Sequence, residues 1–313
     1  MLTLHKHSGF TLVEMIIVIV ITGIIGGIVA IFIRAPVQGY MDSARRAELT
    51  DIADTAMRRM ARDVRTAVPN SMRTLGCGGT PCVEFLPTKD GGRYRADQTG
   101  GGVGCGTVAS STLDFSAADT CFEIVGSKIS FSAGDQIVVG STQSDGNPPY
   151  QDPTAAVCGT VDSSGTNIST CIRRPIAAAG VGVQQVVKVN SIYALPGFAN
   201  LSDANPPSQR FDVVDGTQQA VTYACVATGG GACTTVGGYG TCQLVRYSSY
   251  GFNAVQILPV VAGAPILANK VSACSMVYDL PSQRFGLLAV SLTLTSGGES
   301  VSLYNEIHVN NVP

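Results

Sequence analysis

Residues Met15 to Ile33 (MIIVIVITGIIGGIVAIFI) carry no charged side chain across 19 positions, which predicts one helix long enough to span a bilayer. Beyond this run, apolar residues recur at Leu49, Ile52, Ala53, Ala56, Met60, Val64 and Ala67. That is the i, i+3/i+4 spacing of a single buried stripe on a continuing helix. The other faces carry Arg45, Arg46, Glu48, Asp51, Asp54, Arg58, Arg59, Arg62, Asp63 and Arg65, and taken alone they read as a solvated surface. Asp42–Arg46 and Asp54–Arg58 are acid-first pairs at i, i+4. Pro36 and Gly39 predict a kink just outside the bilayer, and Pro69 predicts the helix end near Val68. At 1.5 Å per residue, the rod from Phe10 to Val68 would be roughly 90 Å long.

From Ser71 onward the period changes to short alternating segments between glycine-rich turns. Cys121–Val125 and Lys128–Phe131 flank Gly126-Ser127 and predict a two-residue hairpin. Gln185–Val189, Val221–Cys225 and Gln243–Tyr247 read as strands. The clearest pair is Leu288–Thr295 and Val301–Val309, closed by Ser296-Gly-Gly-Glu299. Leu288, Val290, Leu292 and Leu294 face one way, with Val301, Leu303, Asn305, Ile307 and Val309 alternating opposite. Asp203–Pro207 offers a domain boundary, but one elaborated domain is expected over residues 71–313.

Composition sharpens this picture. Of 313 residues, 13% are charged, about half the usual share, and 36 are glycine, in keeping with a turn-rich β body. A net charge of −2 argues against a protein that coats nucleic acid. Only His5, His7 and His308 are present, so imidazole catalysis and His-rich zinc sites are poorly supplied. No G-x-G-x-x-G or G-x-x-x-x-G-K-[ST] string occurs, so no nucleotide cradle is expected. The loop Ser141–Asp152, with Asp145, Asn147 and Asp152, reads as an ordinary turn region rather than a calcium site. No cofactor, metal or catalytic residue is expected.

Ten cysteines, Cys77, Cys82, Cys105, Cys121, Cys158, Cys171, Cys225, Cys233, Cys242 and Cys274, all lie after residue 76. Their number is even and no C-x-x-C occurs, which favours disulfides over zinc and places the body in an oxidising compartment. Cys77–Cys82, Cys105–Cys121 and Cys158–Cys171 are expected as near pairs, while two bonds among Cys225, Cys233, Cys242 and Cys274 stay unassigned. The apolar run is too long for a cleaved secretory signal and is followed by Arg34-Ala-Pro36 rather than an A-x-A site. Lys6 against Arg34, Arg45 and Arg46 leans weakly toward the opposite orientation, but the cysteines require the C-terminal body outside the cytoplasm.

Glu14 does not suit a plain anchor, because a carboxylate at that depth costs a few kcal/mol without a partner. Cleavage between Gly9 and Phe10 would create such a partner, an α-amine four residues earlier. The string Gly9-Phe10-Thr11-Leu12-Val13-Glu14, behind a short leader containing Lys6, resembles the class III signal of type IV prepilins and type II secretion pseudopilins. The resemblance implies cleavage after Gly9 by a prepilin peptidase and N-methylation of Phe10. It also implies that Glu14 engages the Phe10 amine of a neighbouring subunit during assembly, which would set this chain just below the tip of a filament. The size of the body, Val221–Tyr223 with Leu244–Arg246, and the closing hairpin resemble the large minor subunits of the PilW and pseudopilin-J group. Arg34–Tyr40, Arg58–Asp63 and His308–Pro313 resemble MshO-type minor components of the mannose-sensitive haemagglutinin (MSHA) pilus.

These observations predict an α+β pilin fold, one long N-terminal helix packed on a disulfide-rich, mostly antiparallel β-sheet domain. Residues 1–9 would be the leader, 10–69 the helix (transmembrane about 10–33, amphipathic about 34–68) and 70–313 the periplasmic body. The implied role is structural and not enzymatic: a minor pilin that helps initiate or cap a pilus. The rival roles are a minor pseudopilin and a tip adhesin using residues 77–242. Implied partners are other minor and major pilins, the prepilin peptidase and the inner-membrane assembly platform, with no nucleic acid. The implied location is the inner membrane as a single-pass protein, then the pilus at the cell surface.

Overall fold

The computed structural model describes residues 9–97, 102, 104–107, 111–113, 119–141, 148–151, 172–190, 209–282 and 285–311. One helix, α1 (Leu12–Arg65), spans 54 residues and continues through Pro36. Among the described residues sixteen strands follow. The first is β1 (Cys82–Phe85). Next come β2 (Thr88–Tyr94), β3 (Cys121–Val125), β4 (Ile129–Phe131), β5 (Gln136–Val139), β6 (Arg173–Pro175), β7 (Gly182–Gln184), β8 (Val186–Lys188) and β9 (Arg210–Val214). The chain then forms β10 (Val221–Ala227), β11 (Thr235–Val236), β12 (Tyr239–Gly240), β13 (Cys242–Tyr247), β14 (Ile266–Ser282), β15 (Phe285–Ser296) and β16 (Glu299–Asn310).

Two six-stranded sheets result. The first has the order β1-β10-β13-β14-β15-β16, antiparallel throughout. Its last two strands form the long terminal hairpin, with Leu288 opposite Ile307, Leu292 opposite Leu303 and Leu294 opposite Val301. Cross-strand partners share a face, and this face takes the helix. Leu49, Ala53, Ala56, Met60 and Val64 of α1 pack on Leu288, Val290, Leu292 and Leu294 in one core, which Met57 and Ala61 extend. Alanines at the crossing let the helix lie close to the sheet, while Phe85 stacks on Tyr223 deeper in, with ring centroids 6.3 Å apart.

The second sheet, β6-β5-β9-β2-β3-β8, is built from the chain between β1 and β10. It is therefore an insertion into the first sheet, and its entry and exit strands pair directly, Thr88 opposite Val214. It has its own core, in which Phe122 meets Tyr94 and Phe211 edge-on. A third apolar cluster, including Val68, Leu86, Tyr150 and Val214, joins the two.

Three local differences from the sequence reading have physical causes. Cys121–Val125 and Ile129–Phe131 are both strands, but they do not pair with each other: β3 joins β2 and β8, while β4 joins β7. Gly126, at φ 121°, turns the chain out of the sheet, and Phe122, Ile124, Ile129 and Phe131 all enter the same core. The helix stops at Arg65 rather than Val68 because backbone pairing takes over: Ala67 bridges Pro87 and the Val68 amide donates to the Leu86 carbonyl at 2.8 Å. Asp54–Arg58 forms at 2.7 Å, but Asp42 pairs with Arg45 because Arg46 swings across to Glu299 at the terminal hairpin turn.

Among the described residues four disulfides are present: Cys77–Cys82, Cys105–Cys121, Cys225–Cys274 and Cys233–Cys242. Cys225–Cys274 ties β10 to β14 at a point beyond Val271, the last β14 residue that pairs with β13. Cys158 and Cys171 lie outside the described residues, as do residues 1–8, the 142–147 stretch with Asp152, and the segment around Asp203–Pro207.

Candidate functional site

The helix starts where its sequence provides a cap. Thr11 is extended (φ −80°, ψ 152°), and its hydroxyl accepts the Glu14 amide at 3.3 Å. In return Glu14 Oε2 accepts the Thr11 amide at 3.4 Å, which closes a capping box. A carboxylate in the first turn also suits the positive end of the helix dipole. Gly9 and Phe10 precede the cap without helical structure, and the Phe10 side chain is exposed. The Gly9–Phe10 bond thus lies in an open segment outside the helix, and a Cβ placed on Gly9 would meet nothing within 4 Å.

From Leu12 to Ile33 no part of the body covers the helix. It is long and apolar enough to cross a membrane, and its Thr22 hydroxyl is satisfied internally by the Val18 carbonyl at 2.6 Å. Pro36 sits inside the helix and has no amide to donate to the Phe32 carbonyl. Gly23 and Gly27 stand one turn apart with open space where side chains would be. This is a spacing at which a second helix can approach closely. The G-x-x-x-G string that marks this face is legible in the sequence alone.

The lower half of the helix is fixed to the body by charge as well as by apolar packing. Arg246 on β13 donates to Asp63 Oδ2 at 2.9 Å, and the Tyr223 hydroxyl donates to the same oxygen at 2.7 Å. Lys270 approaches Glu48 at 3.6 Å. These partners lie far from the helix in sequence, so helical spacing carries no sign of them. The upper half is consequently an apolar rod projecting from a body that holds only its lower half.

Among the described residues, no group of three or more His, Cys, Asp or Glu is placed to hold a metal ion. His308 is exposed on β16 opposite Leu287.

No curated protein and no solved structure matches the chain. Residues 4–30 match the prokaryotic N-terminal methylation motif, and this stretch contains Gly9, Phe10, Glu14 and most of the apolar run. One long helix, antiparallel sheets and four disulfides make an α+β architecture consistent with the type IV pilin fold. The apolar helix fits membrane anchoring, and the motif suggests a structural protein served by a prepilin peptidase and by other pilins. Together the motif and the architecture support a type IV pilin-like protein.

Proposed function

We propose that this chain is a minor pilin that helps initiate or cap a type IV pilus of the MSHA kind, through heteromeric packing of its N-terminal helix. The observation that carries this reading is the uncovered apolar half of α1, topped by an accessible Gly9–Phe10 bond and a carboxylate at the first turn. The peptidase removes residues 1–9, Phe10 becomes the methylated N-terminus, and the body waits in the periplasm until the helix moves from the inner membrane into the filament. Pro36 gives the helix a place to bend between lipid and body.

N-terminal sequencing of the mature protein, with and without prepilin peptidase, tests the first step. The expected start is Phe10, and a start after Ile33 would refute the reading. Because Gly9 is unencumbered, Gly9→Val disturbs no packing, and its expected accumulation as precursor reports on the peptidase alone. Glu14→Ala should be cleaved normally yet lose its partners and reduce piliation. If it assembles like wild type, Glu14 serves only its own helix through the bond to Thr11.

A minor pseudopilin of type II secretion would show the same processing, with secretion rather than piliation failing. The separately cored insertion between Thr88 and Val214 favours one further role, adhesion at the tip. Loss of attachment with piliation intact would be its mark.

A further inference from the structure

Three arginines of the body are matched to carboxylates, as Arg73–Glu84, Arg95–Glu123 and Arg246–Asp63. Arg59, Arg62, Arg65, Arg93 and Arg210 are not: among the described residues none has a carboxylate oxygen within 4.0 Å. All five are exposed. Arg59, Arg62 and Arg65 follow one another at i, i+3 on the solvent side of α1, with Met60 and Val64 buried behind them. Arg65 and Arg210 line one cleft of about 400 Å³, with Thr66, Thr88 and Asp212. Arg93 lies directly opposite Arg210 on the neighbouring strand, an unfavourable like-charge pair unless an anion lies between them. A chain of net charge −2 therefore gathers five exposed arginines on one side, with Asp212 the carboxylate in the cleft beside them.

The track is out of reach of the membrane that anchors the chain. Arg59 and Arg65 stand about 40–48 Å along the helix from Ile33, many times the ~8 Å over which charges act at physiological salt. The helix itself suggests the complementary surface: Glu48, Asp51 and Asp54 precede the arginines, and Asp51 is exposed without an ion pair among the described residues. A parallel helix advanced by about ten residues, ~15 Å, sets such an acidic stretch against the arginines.

We propose that the Arg59–Arg62–Arg65 ridge, continued by Arg210 and Arg93 across the cleft, docks the acidic stretch of a neighbouring filament subunit's helix. The inference rests on the filament reading above and adds the chemistry of the contact below the membrane-level packing. Electrostatic contacts of this kind set register and partner choice more than raw affinity.

The test uses the full chain with Arg62→Glu/Arg65→Glu or Arg93→Glu/Arg210→Glu. Leader cleavage and membrane abundance report that each variant folds. Recovery in the sheared filament fraction should fall at least tenfold, and Arg62→Lys/Arg65→Lys should restore it. Recovery equal to wild type, in cells where Glu14→Ala is lost, overturns the docking and leaves the filament reading standing. Recovery of all variants, Glu14→Ala included, overturns the docking and the inter-subunit role of Glu14, whereas absence of the wild-type chain from the filament fraction overturns the filament reading itself. Detergent-purified full chain should also bind a fluorescent decaglutamate at least tenfold more tightly than the reversed variants do. Tighter binding of duplex DNA than of decaglutamate at equal salt would overturn the proposal in favour of a nucleic-acid track.

Discussion

Arg73 Nε donates to Glu84 Oε2 at 2.7 Å in a site where both side chains are almost wholly buried. The guanidinium lies 3.6 Å over the Tyr150 ring and donates to the Asn253 and Ala254 carbonyls, and the Tyr250 hydroxyl donates to the other carboxylate oxygen of Glu84. The pair thus ties β1, the insertion and the loop after β13 together. Burial raises the Glu84 pKa, with Arg73 and then Tyr250 opposing. Arg73→Met should destabilise by about 3–5 kcal/mol because it strands a buried carboxylate. Arg73→Met/Glu84→Leu should recover most of that loss in thermal melts of the purified chain. If the double variant is no better than the single, the pair is not the source of the cost.

Asp212 gives a pH dependence with a definite sign. Burial pushes its carboxyl up to about 6, with Arg210 opposing. The folded state then holds a proton that the unfolded state has released, so this group's contribution is complete below the unfolded value near 4. It is lost as pH rises through about 6. Asp212→Asn should approach wild type at pH 4 and exceed it above pH 6.5 by on the order of 3 kcal/mol. Urea midpoints across that range check it, and a constant difference at all pH values would exclude titration of Asp212 as the cause.

The disulfides should differ in worth according to the loops they close. Cys225–Cys274 spans 49 residues and Cys77–Cys82 spans 5. On the chain-entropy model these contribute about 4 and about 2 kcal/mol. Cys225→Ser/Cys274→Ser should therefore lower the melting temperature more than Cys77→Ser/Cys82→Ser, and the reverse order would locate the stabilisation in native packing instead.

Leu292 is fully buried where β15 meets the helix. Leu292→Ala should cost about 2–5 kcal/mol. Protease sensitivity should then appear first along residues 42–65 of α1, and an unchanged cleavage pattern there would show that the helix is held by its ion pairs.

What could be read from residues alone was whatever has a short period. The apolar run, the Leu49–Val64 stripe and the alternation of Leu288–Leu294 all repeat within a few positions. Pairing at long range leaves no such trace. Arg46 could not be assigned to Glu299, nor Cys225 to Cys274, because those meetings depend on where the sheets place the chain. The expected hairpin at Gly126 failed for the same reason: both flanking strands are real, but Val186–Lys188 and Gly182–Gln184 compete successfully for their edges.

The direct pairing of Thr88 with Val214 has a consequence for the order of folding. β1 and β10 must meet, Phe85 against Val221, although the chain between them makes an excursion of ~130 residues. Closing so large a loop from an unstructured excursion costs about 2 kcal/mol more than closing one of roughly ten residues. If the inserted sheet forms first, its paired entry and exit strands hold Phe85 and Val221 a few residues apart, and the cost largely disappears. The segment that interrupts the main sheet in sequence would then act as its template in time, and a refolding chain should protect the amides of β2 and β9 before those of β1 and β10.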